Sequence, residues 1–264
     1  MTRIIAVANQ KGGVGKTTTA INLGASLALG GKRTLLVDVD PQGNTTTGLG
    51  IDRSQLVSGL YELLAETRRL NEVLCQTELP LLLVIPATRD LVGAEVELAS
   101  AERREYRLKD ALVAVNDHYD YVFLDCPPSL GVLTVNALTA ADSLLVPIQS
   151  EYYALEGLSA LLETLALVQK RLNPSLRLEG IVITMFDIRN RLSHQVLEDI
   201  RAHFPDKLYR TIIRRNVRFS ESFSYGKPAC LYDGASTGAQ DYLELAKELI
   251  GRGENDASTE KGIG

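Results

Sequence analysis

Eight residues near the N-terminus, Lys11-Gly12-Gly13-Val14-Gly15-Lys16-Thr17-Thr18, combine the residue types that hold a phosphate chain. Glycines at 12, 13 and 15 permit a closeness of approach that a Cβ would block, so bare backbone N–H groups can surround phosphate oxygens. Lys16 is then placed to meet the β and γ phosphates, and the Thr17 hydroxyl to ligate Mg²⁺. The general phosphate-loop pattern wants a glycine where this chain has Gln10. In its place a second lysine, Lys11, opens the loop, and one bound nucleotide hardly needs two cations from so short a segment.

Two further segments place acids after apolar runs, Val37-Asp38-Val39-Asp40-Pro41-Gln42-Gly43-Asn44 and Val122-Phe123-Leu124-Asp125-Cys126-Pro127-Pro128-Ser129. Asp125 occupies the Walker B position, where a carboxylate holds Mg²⁺ directly or through water. Asp38 is expected to back the metal or Lys16, and Asp40 to orient the attacking water. Such a role suits phosphoryl transfer, which owes most of its acceleration to positioning and charge stabilisation. Pro41 and Pro127-Pro128 stiffen the exits while Gly43 and Gly131 leave room to hinge, so both segments read as switches that respond to the γ-phosphate.

These residues need a frame. The run Ile4 to Ala8 reads as a strand feeding the glycine loop, and Thr17 to Leu29 as a helix ending at Gly30-Gly31. Further strands are expected at Thr34–Asp38, Leu81–Ile85, Tyr121–Leu124, Ser143–Pro147 and Leu178–Thr184. Helices are expected over Arg104–Val115, Leu155–Leu172, Leu192–His203 and Ala239–Ile250. Alternation of this kind predicts an α/β fold, a doubly wound and mainly parallel sheet with helices on both faces. Ligands should then sit at the C-terminal ends of the strands, where the glycine loop falls. Residues 1–250 are expected to form one domain, and 251–264 a flexible polar tail.

Composition narrows the class. A chain of 264 residues that is 45% hydrophobic and lacks Trp suits a single aliphatic core around a buried sheet. Cys75, Cys126 and Cys230 are odd in number and widely spaced, which argues against a disulfide framework or zinc site and for a reducing cytoplasm. No apolar run approaches the roughly 18 residues that span a bilayer. The first apolar stretch runs straight into Gln10 and Lys11, unlike a secretory signal. A net charge of −5 disfavours a uniformly basic nucleic-acid binder but permits a local basic face.

The octet resembles the deviant Walker A motif, in which the first lysine reaches across a dimer to the partner's nucleotide. Together with Asp38 to Asn44, Asp125 to Ser129, Glu151-Tyr152-Tyr153-Ala154-Leu155-Glu156-Gly157 and Arg215-Asn216-Val217-Arg218, it resembles in order the ParA/Soj family of DNA-partition ATPases, from about residue 3 to 250. The resemblance implies a P-loop NTPase that uses ATP and Mg²⁺, forms a homodimer when ATP-bound, and binds double-stranded DNA nonspecifically in that state. Hydrolysis would be stimulated by a ParB/Spo0J-like partner, in a cytoplasmic, nucleoid-associated setting. By residue, it implies catalytic roles for Lys11, Lys16 and Asp40, metal roles for Thr17, Asp38 and Asp125, and nucleotide contacts from Lys11 to Thr18 and from Met185, Arg215 and Asn216. The chain departs from the family pattern at Arg214, where proline is usual, and at Ser222-Phe223, where Ala-Pro is usual.

From Lys207 to Lys227 the chain carries Lys207, Arg210, Arg214, Arg215, Arg218 and Lys227 against Asp206 and Glu221, and Arg189 and Arg191 form a smaller group. The resemblance singles out Arg189 and Arg218 for DNA. Phosphate contacts of this kind are sequence independent and salt sensitive, and dimerisation doubles them. A MinD-like membrane regulator would need a basic amphipathic C-terminal helix, and Asp241, Glu244 and Glu248 speak against one. A nitrogenase-reductase-like donor would need paired cysteines, which are absent. A metabolic phosphoryl transferase or ligase of the same fold is a third alternative.

Overall fold

The computed structural model describes residues 2–115, 117–151 and 154–261, so Tyr152 and Tyr153 of the Glu151 to Gly157 segment lie outside the described residues. Seven strands form one sheet: β1 (Arg3–Val7), β2 (Thr34–Asp38), β3 (Cys75–Gln76), β4 (Leu82–Ile85), β5 (Tyr121–Asp125), β6 (Ser143–Gln149) and β7 (Arg177–Thr184). Their order is β3-β4-β2-β5-β1-β6-β7. Every pairing is parallel except that of the short edge strand β3 with β4. The expected doubly wound α/β architecture is therefore present.

The helices are α1 (Lys16–Leu29), α2 (Asn44–Gly48), α3 (Leu60–Leu64), α4 (Leu70–Val73), α5 (Leu91–Leu98), α6 (Arg107–Leu112), α7 (Val132–Ala140), α8 (Ala154–Arg171), α9 (Arg191–His203), α10 (Arg218–Ser224), α11 (Ala229–Tyr232) and α12 (Thr237–Lys261). Alternate side chains of each strand enter opposite cores, as the strand period requires. Ile5, Val7, Leu36, Phe123 and Val182 pack with α1 and α12 on one face. Ala6, Leu35, Val37, Leu124 and Ile183 pack with α5, α7 and α8 on the other. Burial on both faces explains why these strands read as continuous apolar runs.

The helix expected over Arg104–Val115 is divided into a 3₁₀ turn, α6 and a second 3₁₀ turn. The end of the chain differs more. Helix α12 continues to Lys261, whereas a polar tail is expected from residue 251. Its extension is docked by Arg252, whose guanidinium lies 3.9 Å over the Tyr209 ring and donates to Leu208 O at 2.7 Å and to Glu248 at 2.9 Å.

The acids of α12 also differ from a solvated face. Both Glu248 carboxylate oxygens are used: one accepts from the Arg210 amide at 2.9 Å, the other from the Thr211 amide at 2.9 Å and hydroxyl at 2.8 Å. Asp241 accepts the Arg214 amide at 3.0 Å and receives its guanidinium at 2.5–3.2 Å. These two acids fasten the 210–214 segment, which bridges in parallel to Phe186 at Arg214, against the body of the fold. Removing Glu248 strands two amides, a loss worth about 1–3 kcal/mol. Glu248→Ala is therefore expected to lower the urea unfolding midpoint with an unchanged slope, and Glu248→Gln to lower it less.

Candidate functional site

The loop between β1 and α1 lies at the C-terminal edge of the central strands, between the exits of β5 and β6. Gly13 and Gly15 take left-handed backbone angles, φ +75° and +87°, which side-chain-bearing residues rarely adopt. The loop is buttressed from two neighbouring strands. Asn9 donates to Pro147 O at 2.8 Å and accepts the Lys11 amide at 3.0 Å, while the Thr184 hydroxyl donates to Val14 O at 2.7 Å. Met185, in a left-handed conformation at φ +50°, sits close to Gly15.

The two lysines part company in the structure. Lys16 is buried and its ammonium donates to Lys11 O at 3.1 Å, folding back over the loop. Burial pulls its pKa down, against the opposing pull of Asp125, Cys126 and Asp40. Lys11 turns outward to pair with Glu151, and both side chains are 46% exposed. Glu151, the first residue of the Glu151 to Gly157 segment, carries no sequence signal that marks it as the partner of Lys11.

Asp38 and Asp125 are register partners on the adjacent strands β2 and β5, and both are buried. One oxygen of Asp125 accepts the Thr17 hydroxyl at 2.8 Å and the Thr45 hydroxyl at 2.7 Å. One oxygen of Asp38 accepts the Thr46 amide at 2.8 Å and hydroxyl at 2.6 Å. The second oxygen of each has no protein partner. Thr45 and Thr46, on the short helix α2, were not anticipated; the threonine run directly after Asn44 was the available signal. Asp40 is also buried, and its side chain accepts the Gln42 amide at 2.9 Å.

Two orphaned carboxylate oxygens beside a threonine hydroxyl form a hard oxygen donor set that fits Mg²⁺. Among the described residues no group of three or more His, Cys, Asp or Glu side chains forms a metal cluster. Magnesium at a phosphate site needs none, because it takes one or two carboxylates together with phosphate and water. A cavity of about 970 Å³, lined by Leu70, Leu74, Leu83, Ala111 and Tyr119 among others, contains none of these groups. Chemistry, not volume, locates the site.

The remaining candidates lie on neighbouring segments. The Arg215 amide donates to Phe186 O at 3.1 Å, so the 186–190 and 214–218 segments run beside one another. Asn216 bonds Thr237 at 3.0 Å and accepts the Arg218 amide at 3.0 Å. The Arg189 side chain is 88% exposed beside Asp187, whereas Arg218 contacts Glu221 at 2.6 Å and Asp233 at 3.1 Å. Several members of the basic run are thus locally paired: Arg214 with Asp241, Arg218 with two acids, and Lys227 with Glu78 at 3.1 Å.

Burial, the neighbouring Asp125 charge and Asp40 push Asp38 up to about 7, while burial is the main force raising Asp125 to about 6. Groups whose folded values exceed their unfolded ones favour folding below the unfolded value and lose that contribution as pH rises through the folded one. The nucleotide- and metal-free protein is therefore expected to lose thermal stability from about pH 4 to about pH 8, and Asp38→Asn to flatten that slope, as differential scanning fluorimetry would detect.

Comparison with known proteins agrees with this geometry. An AAA domain family model (AAA_31) matches residues 2–178. The sporulation initiation inhibitor protein Soj of Bacillus subtilis is 56% identical over 96% of this chain and 100% of its own length. The chromosome partitioning protein ParA of Caulobacter vibrioides is 57% identical over 95% of this chain and 94% of its own. Among solved structures, cobyrinic acid a,c-diamide synthase from Mycobacterium smegmatis with bound ADP and magnesium superposes with a TM-score of 0.83 at 40% identity, covering 95% of this chain and 94% of that one. By near-full-length identity, the chain belongs to the Soj/ParA family of chromosome-partitioning ATPases.

Proposed function

We propose that this protein is an ATP-dependent DNA-partition ATPase that dimerises with ATP, binds DNA without sequence preference in that state, and hydrolyses ATP under stimulation by a ParB/Spo0J-like partner. The observation that carries the reading is the convergence of the glycine loop, buried Lys16 and Thr17 on Asp125 and Asp38, whose second oxygens lack protein partners. The solved relative named as holding ADP and magnesium supports ATP and Mg²⁺ as the ligands. Residues Gly12 to Thr18 would hold the phosphates, Thr17 and Asp125 the metal with Asp38 behind them, and Met185, Arg215 and Asn216 the base side. Magnesium, when bound, would neutralise charge on the β and γ oxygens.

Asp40 would orient the attacking water, and Lys16 would stabilise charge on the phosphoryl oxygens. Lys11, outward-facing and in an exposed ion pair, would exchange Glu151 for the partner protomer's nucleotide. Such a pair costs little to give up. The likeness to the Mycobacterium smegmatis synthase would favour a phosphoryl transferase or ligase, but the identity to Soj and ParA is higher over the same length. No helix among the described residues is long and apolar enough to cross a membrane.

Retardation of arbitrary duplex DNA by the ATP form, and much less by the apo and ADP forms, tests the reading; liposome binding or turnover of a small acceptor would favour a rival. Asp40→Ala is expected to bind ATP and dimerise yet cease turnover, and normal phosphate release by that variant would remove Asp40 from the mechanism. Arg218→Ala is expected to retain ATP binding while weakening DNA binding alike for all sequences, with the salt slope reduced by about one unit per lost contact. Unchanged DNA affinity would defeat that assignment.

A further inference from the structure

Arg53 lies in the connection between α2 and α3, outside every motif quoted above. Its guanidinium is spent on backbone carbonyls from two different loops. Nε donates to Ala87 O at 2.9 Å, Nη1 to Gln42 O at 2.5 Å, and Nη2 to Pro41 O at 2.9 Å and Thr88 O at 3.1 Å. Four of the five N–H donors of an arginine are thus engaged. The adjacent Asp52 is occupied by Ser54 and Gln55, and no carboxylate among the described residues pairs with Arg53. An arginine placed so is acting as a planar fork.

The two carbonyls it holds after β2 are those of the peptide units that orient Asp40. The peptide unit carrying Pro41 O also carries the Gln42 N–H, which donates to Asp40 Oδ1 at 2.9 Å. The unit carrying Gln42 O also carries the Gly43 N–H, which donates to Asp40 O at 2.9 Å. Peptide units are rigid planes, so fixing their oxygens fixes the direction of their N–H groups. Gly43, at φ +69°, leaves the space the guanidinium fills, since a Cβ there would overlap it. The other two carbonyls follow β4 and lead into α5, which ties the Asp40 loop to a neighbouring turn.

We propose that Arg53 is a positioning residue for hydrolysis: by clamping the Pro41 and Gln42 carbonyls to those of Ala87 and Thr88, it holds Asp40 in its working orientation. The proposal rests on the reading of Asp40 as the group that orients water. Misplacing such a group by about 1 Å costs up to the order of a hundredfold in rate. Arg53→Ala is therefore expected to lower kcat by roughly ten- to a hundredfold while the affinity for ATP stays within about twofold.

Arg53→Lys is expected to show the same split, because a lysine keeps the charge but lacks the fork. It also carries the test should the alanine variant fold poorly. Methylguanidinium is expected to restore part of the rate to Arg53→Ala and none to Asp40→Ala. Amide hydrogen exchange at Gln42 and Gly43 should quicken in Arg53→Ala, a readout that does not depend on the role of Asp40. Wild-type exchange there, wild-type kcat in either Arg53 variant, or a fall in ATP affinity that matches the fall in kcat would each overturn the proposal. Fast exchange in Arg53→Ala with normal turnover in Asp40→Ala would instead defeat the Asp40 reading and the hydrolytic half of the proposal with it, leaving the clamp itself standing.

Discussion

The Asp125 carboxylate is the knot on which the site depends. A single buried oxygen accepts hydroxyl hydrogen bonds from Thr17, at the start of the helix after the glycine loop, and from Thr45, on the short helix after the Asp40 loop. Three segments from distant parts of the chain therefore meet at one atom. Because that atom is carried on the strand between β1 and β2, it inherits the rigidity of the sheet centre. A charge taken from water must find partners, and here half of the carboxylate's capacity goes to the protein while the other half stays unsatisfied. That imbalance suits a cation better than it suits an apo resting state.

Asp38 repeats the arrangement one strand away, with Thr46 as its partner. The Thr46 hydroxyl oxygen also accepts the Ala87 amide at 2.9 Å, so the loop after β4 is drawn into the same network. Arg53 joins that loop to the Asp40 turn from the solvent side. The loops following β2 and β4 are consequently tied to each other and to the end of β5 through polar groups, in addition to the apolar contacts of Val39, Ala87 and Cys126.

In a protein of net charge −5, the basic stretch near the C-terminus is itself anchored by acids. Glu248 and Asp241 turn inward from α12 to fix residues 210–214, and the segment just after β7 flanks the same stretch through Phe186. The departure at Arg214 has a local explanation, since its guanidinium is taken by Asp241. Arg189, by contrast, is left largely in solvent. Counting charges along 207–227 therefore overstates the basic surface.

The strand–loop–helix at residues 3–29, the acids at the ends of β2 and β5, and the doubly wound sheet are all legible in one dimension. Those features rest on local pattern: apolar runs buried on both faces, glycines at a turn, acids at strand ends. The partners of those residues emerge from contacts across the fold. Thr45, Thr46, Asn9, Thr184, Glu151 and Arg53 carry little signal in one dimension, because a hydroxyl or a guanidinium takes its meaning from whichever distant group it reaches. The short helices α2, α3 and α4 escaped for a related reason, as four or five residues hold too little periodicity to register. Helix α12 outran its expected end because Arg252 found Tyr209, Leu208 and Glu248, a docking that composition past Ile250 could not disclose. The phosphate loop was legible because its function depends on backbone geometry that only certain residues permit, whereas what braces it depends on distances across the fold.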